Sequence, residues 1–307
     1  MVVPKTAIMA QNPLILTVET SSRIGSVALA FGEQICGEHT FSAPLRHSAE
    51  IFPAMCRLLE EIASEPQDIE HIYISIGPGS FTGLRIAATM AKLMHLANAT
   101  KVVAVDSLDI IAANVADYIE QRCPRPGDPR RPFSCEAPGS SAPLQPSYHA
   151  ELSEELPERI AAVLDAKRGQ FFVAVYESRR DGNPTHDQNA RHQPSGIEDR
   201  DTQYEIRDSR NRPWKKTLAD SLMTAPEFLR QFAQGDSTVW LLGDGLLYHK
   251  DKFKADRIRF LDEQYWSPHA TKLHMLGLRK AQAGKFADAM TLTPNYLLRP
   301  DIKVKTR

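Results

Sequence analysis

Residues 75–87, SIGPGSFTGLRIA, leave the backbone few conformations. Three glycines and a proline separate the apolar run HIYISI, at 71–76, from a helix-like segment at 84–97. HIYISI is typical of a buried strand, and glycines permit the positive φ values that a tight connection needs. The chain therefore passes from a buried strand into a helix within a few residues, as α/β folds do.

The segments around this loop alternate between strand and helix patterns. Apolar runs beginning at 14, 26 and 35 predict an antiparallel meander, and apolar spacing predicts a helix over 51–63, with Pro53 in its first turn or at a kink. A short strand at 101–105 precedes a second helical pattern, for which Ser107 is a suitable N-cap. The order βββαβαβα predicts a mixed sheet with helices against it.

A chain of 307 residues is long for one compact unit, so we expect two lobes. The segment AAVLDAKRGQFFVAV echoes LTVETSSRIGSVAL in its strand-turn-strand pattern, which favours a weak internal duplication. The predicted organisation is an N-terminal lobe at 13–122, a proline-rich linker or excursion at 123–157, a C-terminal lobe at 158–300 with a polar, loop-like insertion at 178–217, and a basic tail at 301–307.

Net charge, cysteine content and the lack of long apolar segments limit the possible cellular compartments and binding partners. A net charge of −1 gives no general electrostatic attraction for nucleic acid, so an RNA contact must be local or supplied by a partner. The four cysteines form no CxxC pair, which favours a reducing cytoplasm. The N-terminal residues are too weakly apolar for a secretory signal, no later segment is long enough to span a membrane, and Met1 and Met9 remain alternative starts.

The glycine loop matches neither common nucleotide motif. A phosphate-binding P-loop needs Lys and Ser or Thr after its last glycine, whereas Leu84 and Arg85 follow Gly83. The spacing GxGxxxG also departs from the dinucleotide fingerprint. The helix start can receive an anion, but we favour a tight packing turn capped by Ser80 or Thr82. The residues assigned to this structural loop are Gly77, Pro78, Gly79, Ser80, Thr82 and Gly83.

Several segments together resemble the bacterial TsaB (YeaZ) family, which is related to the glycoprotease-like TsaD proteins. They are VETSSRIGSVAL, RHSAEIFP, GPGSFTGLRIA, LDAKRGQFFVAVY and PNYLLR. The resemblance covers roughly 13–118, 159–177 and, more loosely, 226–300. It implies the actin-like ATPase fold of the ASKHA, ribonuclease H-like type. Each of its two lobes has a mixed sheet that starts as an antiparallel meander and is flanked by helices.

The resemblance also implies a function in tRNA modification. TsaB proteins are partners of TsaD, and with TsaE they install threonylcarbamoyl on the adenosine beside the anticodon of tRNAs that decode ANN codons. By this resemblance the chain is a cytoplasmic, non-catalytic activator that meets tRNA only through the complex. ATP, Mg²⁺ and a metal are expected in that complex and not in this chain.

The residues at the equivalent positions favour a non-catalytic chain. In TsaD two metal-binding histidines four residues apart begin a helix, and Ser107 and Ile111 stand there in this sequence. Serine and isoleucine cannot replace two imidazoles around a metal. The DxG phosphate hairpins of nucleotide-hydrolysing relatives read ETS and DAK here, so Glu19 and Asp165 are only weak cofactor-binding candidates.

The family also implies a protein interface. In TsaB proteins two helices form a bundle with the same pair of TsaD, or with a second TsaB in a homodimer when TsaD is absent. The helix at 84–97 is apolar nearly all round, so one stripe can face the sheet and another a partner, unless the neighbouring helix covers it. The interface candidates are Ile51, Met55, Leu58, Arg85, Met90 and Met94.

Two other functions remain as alternatives, namely a degenerate sugar- or acid-kinase-like ATPase and, with less support, an M22-type metallopeptidase. No HExxH motif is present, and His269 and His274 are not spaced as a metal pair. His47 is expected to be a capping or surface residue. Two segments are weak candidates for tRNA contacts, namely the run RNRPWKK at 210–216, with Trp214 as a stacking face, and the tail residues Lys303, Lys305 and Arg307. A solvated loop and a frayed tail are the favoured interpretations of these segments.

Overall fold

A computed structural model describes residues 12–43, 46–122, 156–178, 206–207, 212–235 and 237–297. The first sheet has the order β3-β2-β1-β4-β5. Its strands β1 to β3 form the predicted antiparallel meander, and β4 and β5 run parallel to β1. The five strands are β1 (Leu14–Glu19), β2 (Ser26–Phe31), β3 (Gln34–Thr40), β4 (Ile69–Ser75) and β5 (Lys101–Val105).

The second sheet has the order β11-β10-β6-β7-β9-β8. Strands β6, β7 and β9 form an antiparallel meander, and β10 and β11 run parallel to β6. The strands are β6 (Arg159–Lys167), β7 (Gln170–Ser178), β8 (Ile206–Arg207), β9 (Pro213–Thr224), β10 (Val239–Leu242) and β11 (Ile258–Phe260). Both sheets therefore combine a three-stranded antiparallel meander with two parallel strands, and the second sheet has β8 in addition. The sequence echo predicted only the strand-turn-strand unit that opens each sheet.

Six α-helices accompany the sheets in the described residues. They are α1 (His47–Glu61), α2 (Phe81–Asn98), α3 (Ser107–Ala112), α4 (Val115–Arg122), α5 (Ala225–Phe232) and α6 (Ala270–Gln282). Two predicted helix starts were wrong. Helix α1 begins earlier than expected, so Pro53 lies in its interior, and the N-cap of α3 is Asp106, with Ser107 as the first helical residue.

Helices α3 and α6 lie between the two sheets. Helix α3 packs against β6 and β7 of the second sheet, whereas α6 packs against β1, β4 and β5 of the first. One buried apolar core consequently runs from Ile15 and Val103 to Val163 and Leu241. The segment after α6 also joins the first sheet, because Ala287 N donates to Val102 O at 2.8 Å. The predicted lobe boundaries remain a prediction. Helix α3 of the predicted N-terminal lobe packs on the second sheet, and α6 of the predicted C-terminal lobe packs on the first.

The prediction of a solvated loop over 178–217 was wrong at its C-terminal end. Strand β9 begins at Pro213 and pairs with β7 and β8. Its sequence, PWKKTLADSLMT, lacks a clear apolar strand pattern, because most of its side chains are only partly buried and many are polar. Trp214, at 1% exposure, anchors the strand in the core. The predicted linker falls almost entirely outside the described residues, as does the tail.

In the described part of the chain, no helix combines the length and the apolar character that crossing a membrane requires.

Helix α6 crosses the first sheet closely because Gly277 faces Tyr73. A Cβ atom at Gly277 would lie 2.6 Å from Tyr73 Cδ2. We expect Gly277→Ala to lower the free energy of unfolding by about 1–3 kcal/mol through overpacking, despite a helix-propensity gain of about 1 kcal/mol. Urea unfolding measures the change.

The matched control is Gly235→Ala, since no atom lies within 4 Å of a Cβ built at Gly235. We expect that change to stay within about 0.5 kcal/mol. Equal stability of the two variants would show that α6 does not need the glycine.

Candidate functional site

The glycine loop is a packing device that joins β4 to α2. Ser80 is the N-cap of α2, and its Oγ accepts a hydrogen bond from Gly83 N at 3.3 Å. Ser80 N donates to Ser21 O at 2.7 Å. Of the two predicted caps, Ser80 has this role, while Thr82 is the second residue of the helix.

Two glycines let this loop lie directly on the turn that follows β1. A Cβ atom would stand 2.3 Å from Ser21 O at Gly79 and 2.0 Å from Thr20 O at Gly83, both far inside van der Waals contact. Thr20 Oγ1 completes the junction by donating to Gly83 O at 2.9 Å. These contacts explain the glycines by close backbone approach rather than by a bound phosphate.

The other side of the loop contacts two further segments. Ser107 N donates to Gly77 O at 2.8 Å, and Asn295 N donates to Ile76 O at 2.6 Å. The Gly77–Pro78 peptide bond is cis, and Gly77 has a φ of 111°. The loop thus connects the turn after β1, the start of α3 and the C-terminal segment.

A cleft of about 400 Å³ opens beside this junction. The two predicted hairpins and the glycine loop contribute to its walls, together with the turn after β10 and residues 295–297. Its polar lining includes Ser21, Arg23, Ser80, Asp165, Lys167, Arg168 and Asp244. The sequence offered Glu19 and Asp165 of the hairpins only as weak cofactor-binding candidates and did not identify Asp244, whose position in a GDG turn after a buried strand was the available signal.

Glu19 lies behind the cleft and does not line it. Its Oε1 accepts hydrogen bonds from Ser21 N, at 2.8 Å, and from Ser21 Oγ. Its Oε2 is buried without a hydrogen-bond partner among the described residues. Burial raises the pKa of Glu19 to about 7, against the opposing effect of the Ser21 hydrogen bonds. Near neutral pH this carboxyl group is therefore partly protonated and engaged with its own turn.

Asp165 and Asp244 do line the cleft, in two different states. Burial opposes ionisation of Asp165, but the hydrogen bonds and charge of Lys167 outweigh it and lower the pKa. Lys167 Nζ lies 2.6 Å from Asp165 Oδ2. Burial raises the pKa of Asp244 to about 6, although Arg23 N donates to its Oδ2 at 3.3 Å. Both acids are thus occupied by neighbouring groups of the protein itself.

Aromatic side chains flank the mouth of the cleft. The Arg23 guanidinium lies 4.9 Å from the ring centroid of Tyr248, which is 67% exposed. On the opposite side, Arg85 lies over Phe81 at 4.9 Å, and Tyr296 packs against Phe81. The sequence did not indicate either group, because Tyr248 is far from Arg23 in the chain and Tyr296 is far from Phe81 and Arg85.

The structure corrects the predicted helix interface residue by residue. Ile51, Met55, Leu58 and Met90 are buried in the core between the first sheet and helices α1 and α2, so they are not available to a partner. Met94 is half-buried against the same core, and Arg85 is exposed. Periodicity identified two apolar stripes on α2 but could not decide how far α1 and the sheet cover each of them.

The same two helices nevertheless expose other apolar side chains. Leu93 and Leu96 are 59% and 64% exposed, and Phe52 of α1 is 51% exposed. We call Thr82, Arg85, Thr89, Leu93 and Leu96 the outer face of α2, because their spacing places them on one side of the helix and all are exposed.

The weaker sequence candidates lie elsewhere. Trp214 of the run RNRPWKK is buried, Lys216 is mostly covered and pairs with Asp109, and the tail residues fall outside the described residues. His47 is buried rather than superficial, and its Nε2 lies 3.1 Å from Ser22 O. His274 contacts Gly32 O at 2.9 Å. Within the described ranges, no three His, Cys, Asp or Glu side chains are grouped so that they could bind a metal.

The buried Glu19 predicts a pH dependence of stability. Its folded pKa, about 7, exceeds the usual value of 4.5, so its contribution is fully present below about 4.5 and is lost as the pH rises through 7. Glu19→Gln keeps the group neutral. We expect the variant to be more stable than the wild type at pH 8, by about 3 kcal/mol, and to lose this advantage at pH 4.5.

Urea unfolding at the two pH values measures this difference. The control is Glu33→Gln, which removes an exposed glutamate and should leave the pH profile unchanged. A Glu19→Gln profile parallel to that of the wild type would contradict the assignment.

Comparisons with known proteins agree with the arrangement described above. A model of the TsaD family, described as tRNA N6-adenosine threonylcarbamoyltransferase, matches residues 41–126, which include α1, the glycine loop and α2. The tRNA threonylcarbamoyladenosine biosynthesis protein TsaB of Bacillus subtilis (strain 168) is 35% identical over 100 residues, or 33% of this chain and 44% of the relative. TsaB of Buchnera aphidicola subsp. Acyrthosiphon pisum is 31% identical over 111 residues, or 36% and 49%.

The matched residues span just under half the length of these curated relatives. The solved structure of YeaZ from Pseudomonas aeruginosa matches with a TM-score of 0.60 at 19% identity, covering 93% of this chain and 100% of that one. A crystal structure described as an uncharacterized protein with similarity to peptidase YEAZ, from the same organism, gives a TM-score of 0.61 at 18% identity and the same coverage. These structures show a shared fold, and together the comparisons confirm that the chain resembles the TsaB (YeaZ) family.

Proposed function

We propose that this protein is the non-catalytic partner of TsaD in the complex that forms threonylcarbamoyladenosine beside the anticodon of tRNAs that decode ANN codons. The observation that carries the proposal is the outer face of α2, where Leu93 and Leu96 are neighbours one helical turn apart and both are more than half exposed; Phe52 of α1 is exposed as well. Adjacent exposed apolar side chains of this size mark protein interfaces more often than isolated ones do.

The names of the relatives support a role in the formation of threonylcarbamoyladenosine in tRNA. The curated relatives are called tRNA threonylcarbamoyladenosine biosynthesis proteins, and the matching family model describes a threonylcarbamoyltransferase. The helices that display the exposed face lie inside the matched range of 41–126. The segment most similar to the transferase family is thus also the segment with the uncovered surface.

The side chains at the resemblance-derived catalytic positions support a non-catalytic chain. Ser107 and Ile111, which stand where TsaD has its two histidines, are both buried in α3. In the hairpins, Glu19 is bonded to Ser21 and Asp165 to Lys167. Each acid is therefore engaged internally, and we assign the ATP, Mg²⁺ and metal requirements of the reaction to the partner complex.

The assembly that follows from this proposal is a helix-to-helix heterodimer with TsaD in the cytoplasm, joined by TsaE, with tRNA bound through the complex. Without TsaD, a second copy of this chain covers the same face. The revised contact set consists of Phe52, Arg85, Met94, Leu93 and Leu96, since the other predicted residues are buried.

The cleft favours one alternative function. Its volume and its basic lining residues are compatible with a degenerate kinase-like ATPase. Turnover separates the two hypotheses, because a scaffold hydrolyses no ATP on its own and an ATPase does.

A paired charge substitution tests the interface. We expect Leu93→Glu combined with Leu96→Glu to weaken binding to the TsaD of the same organism at least about tenfold, because two carboxylates would be buried against an apolar partner. Calorimetric titration of purified proteins measures the affinity. Both positions are exposed, so thermal unfolding of the isolated chain should not change. Met90→Glu is unsuitable because Met90 is buried in this chain's own core.

The control is Leu247→Glu, which charges an exposed leucine near the cleft and should leave the affinity unchanged. Unaltered binding by the double variant would overturn the assigned face. ATP hydrolysis or threonylcarbamoyl transfer by the isolated wild-type chain would overturn the non-catalytic assignment.

A further inference from the structure

A buried cluster of charged groups joins α3 to the second sheet, away from the cleft. Lys216 Nζ of β9 lies 2.6 Å from Asp109 Oδ1 of α3 and 2.8 Å from Asp220 Oδ1. Tyr176 of β7 donates its hydroxyl proton to the same Asp109 oxygen at 2.6 Å. One ammonium group and one phenol therefore fasten the helix to two strands.

The surroundings of this cluster contain more acids than bases. Asp106 is the N-cap of α3, and the charges of Asp109 on the same helix and Asp220 on β9 both act on its carboxyl group. The cations that face it are Lys216 and, from α6, Lys280, whose Nζ also donates to Ala104 O at 2.9 Å. Three carboxyl groups thus share two ammonium groups.

One oxygen of the cluster is left without a partner. Asp220 Oδ2 is buried and has no hydrogen-bond partner among the described residues. A buried carboxylate in this condition is costly, and neighbouring carboxylates of like charge add to the cost. Protonation of one carboxyl group of the cluster would lower that cost.

The cluster lies where a helix that follows the first sheet packs on the second sheet. Helix α3 continues directly from β5 of the first sheet, yet it packs against β6 and β7 of the second. Buried ion pairs contribute little net stability but strongly oppose the removal of one partner, because a charge is then buried alone. The ammonium of Lys216 therefore controls whether α3 remains in place.

We propose that Asp106, Asp109, Lys216 and Asp220 form a proton-dependent latch that holds α3 on the second sheet and loosens when the surplus carboxyl group loses its proton. The latch is independent of the proposed function, since it involves neither the cleft nor the outer face of α2.

The titration of the cluster agrees with this geometry. Burial, with added repulsion from Asp109 and Asp220, raises the pKa of Asp106 from 3.8 to about 7. Burial also raises the pKa of Asp220. An acid whose pKa is raised on folding stabilises the closed state below its unfolded pKa, and this stabilisation is lost as the pH rises toward the folded pKa. The latch is therefore closed at mildly acidic pH and weakens toward pH 7.

Hydrogen exchange of the amides in 106–122, followed by mass spectrometry on the full chain, tests the latch. After correction for base-catalysed intrinsic exchange, we expect the wild-type opening constant to rise about tenfold per pH unit from about pH 5 to pH 7 and to level off above. Asp106→Asn mimics the protonated carboxyl group, so its opening constant should stay nearly flat.

Lys216→Met should raise the opening constant of 106–122 at every pH, because it leaves the carboxyl groups without their shared cation. Asp220→Asn retains the Lys216–Asp109 contact and removes the acid with the unpartnered oxygen, so it should reduce the pH response and remain folded. The control is Glu19→Gln, which removes the other carboxyl group of similarly raised pKa and should leave exchange in 106–122 as in the wild type.

A pH-independent wild-type opening constant would overturn the proposal. Unchanged pH dependence in Asp106→Asn would do so as well, as would wild-type protection in a folded Lys216→Met protein.

Discussion

The close approach of the glycine loop to the turn after β1 determines the arrangement of both candidate surfaces. Gly79 and Gly83 leave room for the carbonyl groups of Ser21 and Thr20, and Ser80 then begins α2 at that point. The position of α2 in turn decides which of its side chains meet α1 and the first sheet and which face outward. The same junction forms one wall of the cleft. A side chain at either glycine would move the helix and the cleft together.

Several acidic side chains of this protein pair with groups of the same chain. Glu19, Asp165 and Asp244 surround or underlie the cleft, and each is engaged by a hydroxyl, amide or ammonium group of this chain. The cluster at α3 likewise contains its own cation in Lys216. Internal pairing of this kind stabilises a fixed arrangement, whereas a catalytic carboxylate needs to reach a substrate or a metal. The internal pairing of these acids supports the non-catalytic role that we propose for this chain.

Predictions from the sequence were accurate for features that depend on local patterns. They were inaccurate for features that depend on which side chains other segments bury. The element order around the first sheet, the packing turn at 77–83 and the Ser80 cap follow from short-range periodicity and backbone geometry. The interface residues do not, since Met90 and Leu93 are equally apolar in sequence, yet one is buried and the other is exposed. Strand β9 was missed because its polar residues alternate without a clear apolar face. Lys216 looked like a surface cation until β9 was placed beside α3.

The sequence by itself determined the element order around the first sheet, the glycine-mediated turn, the resemblance to the TsaB family, and the presence of Ser107 and Ile111 where TsaD has its two histidines. Only the tertiary structure decided which stripe of α2 is uncovered, that α3 and α6 lie between the two sheets, and that Asp109 of α3 meets the Lys216–Asp220 pair of β9. The physical reason is the separation along the chain of the residues that interact. Hydrogen-bonded turns and periodic helices depend on neighbours a few residues away, while burial and the Lys216–Asp109 pairing depend on segments that are far apart in the chain and meet only in the assembled fold.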